Sequence, residues 1–128
     1  MSTEWHELPD GRQRLRSDGV IEMRHSTTTQ TLESVKAQME HAERLLEGGP
    51  PAPMLVVLDE STGQTKEVRH YLMTDPSIPR VASRVALVGR SPVSRVMTAF
   101  FVRLTRPPIP LRVFRDEDTA LAWLKEGR

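Results

Sequence analysis

The chain has no cysteine among its 128 residues. Disulfides, thiolate nucleophiles and Cys-ligated metal sites are thereby excluded. Its four histidines, His6, His25, His41 and His70, are never three or four residues apart and occupy no HExxH frame, so metal-ligand spacing is absent. His41 and His70 fall on predicted helices and are expected at the surface rather than in a ligand set. No G-x-S-x-G elbow, G-x-G-x-x-G turn or Gly-Lys-Ser/Thr phosphate loop occurs. No apolar run approaches the roughly 20 residues that cross a bilayer. The opening MSTEWHELPDGR is polar and acidic and carries no secretory core. These absences argue for a cytoplasmic protein without cofactor, metal or recognisable catalytic constellation.

What is present is an ordinary globular composition, 38% apolar and 27% charged, sized for one domain. The net charge of +1 hides an asymmetry. Residues 1–64 carry 6 basic and 11 acidic side chains, whereas residues 65–128 carry 12 and 6. From Arg84 to Arg115 there are seven arginines and no carboxylate. Such a stretch can mark a surface for anions, nucleic acid or an acidic partner. The plainer reading is compositional, since 15 of the 18 basic residues are arginine.

The periodicity gives the order β-β-α-β-α-β-α-β-α. Ser17-Asp18-Gly19 predicts a hairpin between strands at about Arg12–Arg16 and Val20–His25, because Asp and Gly tolerate positive φ. In the second strand Ile21, Met23 and His25 share one face, and Val20, Glu22 and Arg24 share the other. Leu32, Val35, Met39, Ala42, Leu45 and Leu46 form the stripe of an amphipathic helix over Thr28–Glu47. A Thr27/Gln30 capping box opens that helix, and Gly48-Gly49 and Pro50-Pro51 stop it. Met54–Leu58 and Val85–Val88 are continuous apolar runs suited to buried parallel strands. A helix from Thr65 uses Val68, Leu72 and Met73, and ends or restarts at Asp75-Pro76. Ser91 caps, and Pro92 begins, a helix whose apolar face is Val93, Val96, Met97, Phe100, Phe101 and Leu104. Leu111–Phe114 is the last strand, and Asp116 caps a final helix packed through Ala120, Leu121, Trp123 and Leu124. An α/β fold with a mostly parallel five-stranded sheet follows, preceded by an N-terminal extension over residues 1–11.

The opening hairpin, the VVLD strand and above all VALVGRSPVSRVMTAFFVRLTRPPIPLRVFRDEDTALAWLKEG resemble the STAS-like proteins. These are small relatives of the anti-sigma factor antagonists and of the cytoplasmic domain of sulfate transporters, here of the single-domain bacterial STAS/SEC14 type. The resemblance spans residues 12–127 and implies strands in sequence order with helices mainly on one face. One departure matters. The antagonists carry D-S-S-G with a phosphorylatable serine after the VVLD strand, where this chain reads LDESTGQTKEV. Ser61, Thr62 and Thr65 lie nearby without matching that motif, so a phosphorylation switch is not implied.

Ligands of parallel sheets gather at the carboxyl ends of strands. Asp59, Ser61, Thr62, Arg90, Ser91 and Arg95 are the candidate ligand- or anion-binding residues there, with Glu60, Arg115 and Asp116 beside them. The GRSP turn at Gly89–Pro92 has one glycine and no lysine, so it reads first as a capped strand-to-helix joint. Asp59 lacks the acid pair and lysine of a phospho-acceptor receiver. Phe100 and Phe101 belong to the core stripe and are not free to stack on bases, which argues against nucleic acid. The apolar middle strands, with helices mainly on one side, call for a cover on the other: the segment holding Trp5, a second copy of the chain or, as a third option, a lipid-like ligand. The expectation is a non-enzymatic regulatory or protein-interaction module, homodimeric, with a small-ligand or anion-binding protein as the alternative.

Overall fold

Asp18 and Gly19 turn the chain back as expected. Gly19 adopts φ 85°, Arg16 N–H donates to the Val20 carbonyl at 2.9 Å, and the Asp18 carboxylate accepts from Val20 N–H at 3.2 Å. This turn joins β2 (Gly11–Leu15) to β3 (Ile21–His25) in antiparallel register, with Arg14 opposite Glu22. The strands approach closely at Gly11, where a Cβ would run into the Arg24 carbonyl. The computed structural model describes residues 3–9, 11–25, 29–58, 63–89 and 109–126.

Within them the main sheet has six strands, ordered β1 (His6–Leu8), β2, β3, β5 (Ala52–Leu58), β7 (Ala82–Gly89) and β8 (Leu111–Phe114). From β3 onward every pairing is parallel, and the order follows the sequence. The expected count of five is short by β1. That strand lies in the stretch read as an extension and pairs antiparallel with β2.

The first helix, α1 (Leu32–Leu46), also starts later than Thr27 suggested. Thr29–Gln30 forms β4, which pairs in parallel with β6 (Gly63–Gln64) and holds the chain extended. The capping box is therefore Thr31 with Ser34: the Thr31 hydroxyl accepts from Ser34 N–H at 3.1 Å, and Ser34 Oγ accepts from Thr31 N–H at 3.1 Å. The helix expected from Thr65 is α2 (Lys66–Thr74), with Thr65 as its cap, and after the Asp75-Pro76 break the helix restarts as α3 (Ser77–Val81). The last helix is α4 (Glu117–Glu126). Asp116 accepts from Thr119 N–H at 2.8 Å at its start.

Alternation along the strands divides the core in two. Ile21, Met54 and Val85 pack with Met39 and Ala42 of α1 and with Ile78 and Val81 of α3. Val20, Leu55, Val57, Ala86 and Val88 pack instead against Ala120 and Leu124 of α4. Leu55 and Leu124 are fully buried, a gain of about 2 kcal/mol each by transfer from water. The helices α1 to α3 thus share one side and α4 takes the other. This corrects the expectation of a bare second face: the middle strands are covered by the chain's own α4.

Candidate functional site

The strand ends that precede the predicted ligand residues are neighbours, since Leu58 and Gly89 are register partners. Asp59, Ser61, Thr62, Arg90, Ser91 and Arg95 themselves lie outside the described residues, as do Glu60, Phe100 and Phe101. Of the neighbouring residues, Arg115 and Asp116 are described and exposed. Asp116 serves as the α4 cap, and the backbone hydrogen bond from Thr119 holds its carboxyl below the ordinary value.

The most developed polar surface is on the side that carries α4, and it has two flanks. Gln13 points toward α1, so Arg12 and Arg14 of the same strand point to the α4 side. There the fully buried Glu22 carboxylate gathers three guanidiniums: Arg14 at 2.9 Å, Arg16 at 3.3 Å and Arg24 at 2.8 Å. Arg24 also reaches Glu117 of α4 at 2.5 Å, and Asp18 joins Arg16 at 3.2 Å and Lys125 at 3.5 Å. Burial pushes the Asp18 carboxyl up, but the hydrogen bonds from Val20 and Arg16 and the charges of Arg16 and Lys125 outweigh it and hold the group below its ordinary value. Arg12 faces Arg24 across the hairpin. Like charges so placed repel; here Arg24 turns to the carboxylates, while Arg12 and Arg14 each lie 4.4 Å from the Trp5 ring.

The other flank is built differently. Arg84, near the start of β7, lies 4.4 Å from the Trp123 ring, and its Nη1 donates to the Trp123 carbonyl at 2.7 Å. That carbonyl is among the last four of α4, which have no partner within the helix, so Arg84 acts as its carboxyl-terminal cap. Arg112 of β8 lies 5.7 Å from the Trp123 ring and 5.5 Å from Phe114, and the two rings meet at 5.6 Å. Among the described residues no carboxylate pairs with Arg84 or Arg112. Arg112 is exposed, and Trp123 and Phe114 are half-buried.

The arginine run from Arg84 to Arg115 was the sequence signal for this flank. The periodicity put Trp123 on the packing side of the last helix, and Trp123 does pack, half-buried, against the core that holds Ala120 and Leu124. Arg84 and Arg112 share this face because Arg112 is the register partner of Ala86, two residues beyond Arg84 on the same side of β7.

On the opposite side, a buried polar group ties β1 and β2 to α1. Gln13 donates to the Gln38 carbonyl at 3.2 Å, and its amide oxygen accepts from His41 Nδ1 at 2.5 Å. The His6 ring lies 4.7 Å from that of His41. Contrary to expectation His41 is buried, whereas His70 is exposed. Burial, then the nearby His6 and Arg44, lower the His41 pKa from its ordinary 6.5. No group of three or more His, Cys, Asp or Glu side chains among the described residues could hold a metal ion. None of the described helices is long and apolar enough to cross a membrane.

Comparison with known proteins agrees with this architecture. One solved structure is an uncharacterized protein from the DUF3478 family, with a SpoIIAA-like fold, from Shewanella loihica PV-4. It is 19% identical, the match covers 97% of this chain and 98% of that one, and the TM-score is 0.56. The likeness is one of fold, and it is the STAS-like fold that the sequence resembles. A second is a protein of unknown function from Arthrobacter sp. FB24, 31% identical over 88% of this chain and 97% of that chain, with a TM-score of 0.32. No curated protein matches the sequence. A family model matches residues 15–128, and the chain belongs to that family, Domain of unknown function (DUF7793).

Proposed function

We propose that the protein is a non-enzymatic regulatory module that works by protein contact, and that the side carrying α4 is its contact surface. One observation carries this reading. Both tryptophans of the chain, Trp5 and Trp123, lie on that side half-buried, each approached by two guanidiniums. Tryptophan and arginine are the residues that concentrate binding energy in protein interfaces, because a large rigid ring and a weakly hydrated cation lose little on desolvation. A second copy of the chain is the partner tested first. It would assemble through this surface and not through the middle strands, which α4 already covers.

The two indole N–H groups give two resolved NMR signals, assignable with Trp5→Phe. Light scattering and these signals are followed together as concentration rises. A mass that rises toward two chains while either indole signal moves supports a homodimer closed on this surface. A single-chain mass at every concentration, with both signals fixed, rules the second copy out. Assembly that leaves both signals fixed refutes the surface assignment.

A further inference from the structure

The arginines of the two flanks are in different chemical states. Around Glu22 each cation already has an anion. Beside β8, Arg84 and Arg112 lie within cation–ring distance of aromatic rings, and among the described residues no carboxylate pairs with either. A cation–ring contact uses none of a guanidinium's N–H donors on an anion, and a pair of those donors grips a carboxylate with two parallel bonds. One edge donor of Arg84 is committed to the Trp123 carbonyl, so that cation is held in place. Arg112 is exposed at the rim.

We propose that the Arg84–Trp123–Arg112–Phe114 ladder is the recognition site for an acidic peptide segment of a partner protein. In this arrangement Asp or Glu carboxylates take the guanidinium edges, and the aliphatic parts of the segment cover the half-buried indole and phenyl rings. Charge selects the occupant: the patch is cationic within a half-chain carrying 12 basic and 6 acidic residues. Its size selects a peptide over a nucleic acid. Backbone binding of nucleic acid draws on many phosphate contacts at once. Among the described residues this ladder offers two cations. The proposal rests on reading this side as a contact surface and specifies what the surface reads.

The test is a titration of the intact protein with a short peptide of alternating glutamate and serine, read by the two indole N–H signals. The expected result is a saturable shift of the Trp123 signal with the Trp5 signal unmoved, lost when glutamine replaces glutamate in the peptide. Arg112→Gln should weaken the interaction at least about tenfold, the scale of one charged hydrogen-bonded contact. Arg112→Lys should recover part of it, because charge returns without the fork. Arg80→Gln removes the same charge from exposed α3 on the far side and should change nothing.

Three results overturn the proposal: an unmoved Trp123 signal, equal weakening by Arg80→Gln, or a single-stranded oligonucleotide or inorganic phosphate binding more tightly than the peptide. If the peptide fails while self-assembly still moves an indole signal, the contact surface stands and only its acidic selectivity falls. If neither moves a signal, both readings fall.

Discussion

The two flanks of α4 use the same residue, arginine, in opposite ways. On the β2–β3 flank, Arg14, Arg16 and Arg24 neutralise Glu22, a carboxylate with no exposure to water. On the β7–β8 flank, Arg84 and Arg112 lie against aromatic rings. The first arrangement is closed: every guanidinium already pairs with the buried Glu22, and Arg24 links it through Glu117 to α4, so the network holds the hairpin and fixes the helix. The second is open, because a cation–ring contact leaves N–H donors unspent. Arginine content alone does not separate structure from recognition; the location of the carboxylates does.

The strongest way to break this comparison is Glu22→Gln. The shape is kept and the charge removed, so three guanidiniums surround a neutral amide. Stripping one partner from a buried pair costs about 3–5 kcal/mol. The three arginines keep 21–29% exposure and so retain some hydration, which places the expected loss near ~3 kcal/mol, at the lower end of that range. Urea unfolding should show a lower midpoint with an unchanged slope. A loss under about 0.5 kcal/mol, the size of an ordinary surface change, would show that the network is not structural.

Arg84→Gln should cost less, about 1.5–2 kcal/mol, for one charged hydrogen bond and one cation–ring contact. Amide exchange would localise the damage to the last turn of α4. A uniform loss across the hairpin would contradict the separation of the flanks.

Acid sharpens the same contrast. His41 has a folded pKa below its ordinary 6.5, so as pH falls the unfolded chain takes up this proton first. The stability linked to neutral His41 is whole above 6.5 and is lost as pH drops from there through the folded value. Asp18 is likewise depressed below its ordinary 3.8. Its contribution is whole above that value and is lost as pH falls through the folded one. Asp18 turns β2 into β3, and His41 of α1 meets β1 and β2 through His6 and Gln13. Protection factors there, corrected for the intrinsic slowing of exchange in acid, should fall in two steps on acidification, while those of the central amides of β7 and β8 lag behind. A simultaneous fall in both halves would remove the distinction.

The sequence showed the strands from β2 onward in the main sheet and the helices α1, α2 and α4 because each has its own apolar period or turn chemistry. Asp18-Gly19, the Val56–Val57 run and Thr65 are local statements. What it concealed was non-local. His6–Leu8 is too short for any alternation to register, and it is a strand because β2 offers an edge. Thr27/Gln30 and Thr31/Ser34 both fit a cap; the pairing of Thr29–Gln30 with Gly63–Gln64 decides between them. His41 was expected outside because its burial depends on Gln13, a strand away. The β8-side ladder was visible only as a run of arginines, since the ring that orders Arg84 and Arg112 comes from another helix.

Arg112→Gln should produce the smallest change in stability, and this makes it the most informative substitution. Its guanidinium is exposed, and its ring contacts lie at 5.5 and 5.7 Å. Beyond about half a kilocalorie per mole a surface cation–ring contact has little to give up. Denaturant midpoints of wild type and variant should therefore nearly coincide, whereas Glu22→Gln shifts its midpoint strongly. A cation that costs almost nothing to remove from the folded chain, and that has no carboxylate partner among the described residues, is available to something outside the fold. If Arg112→Gln instead destabilised the protein as much as Arg84→Gln, its stacking would be structural. The β8 flank would then be a second closed network, and the comparison on which the recognition site stands would be gone.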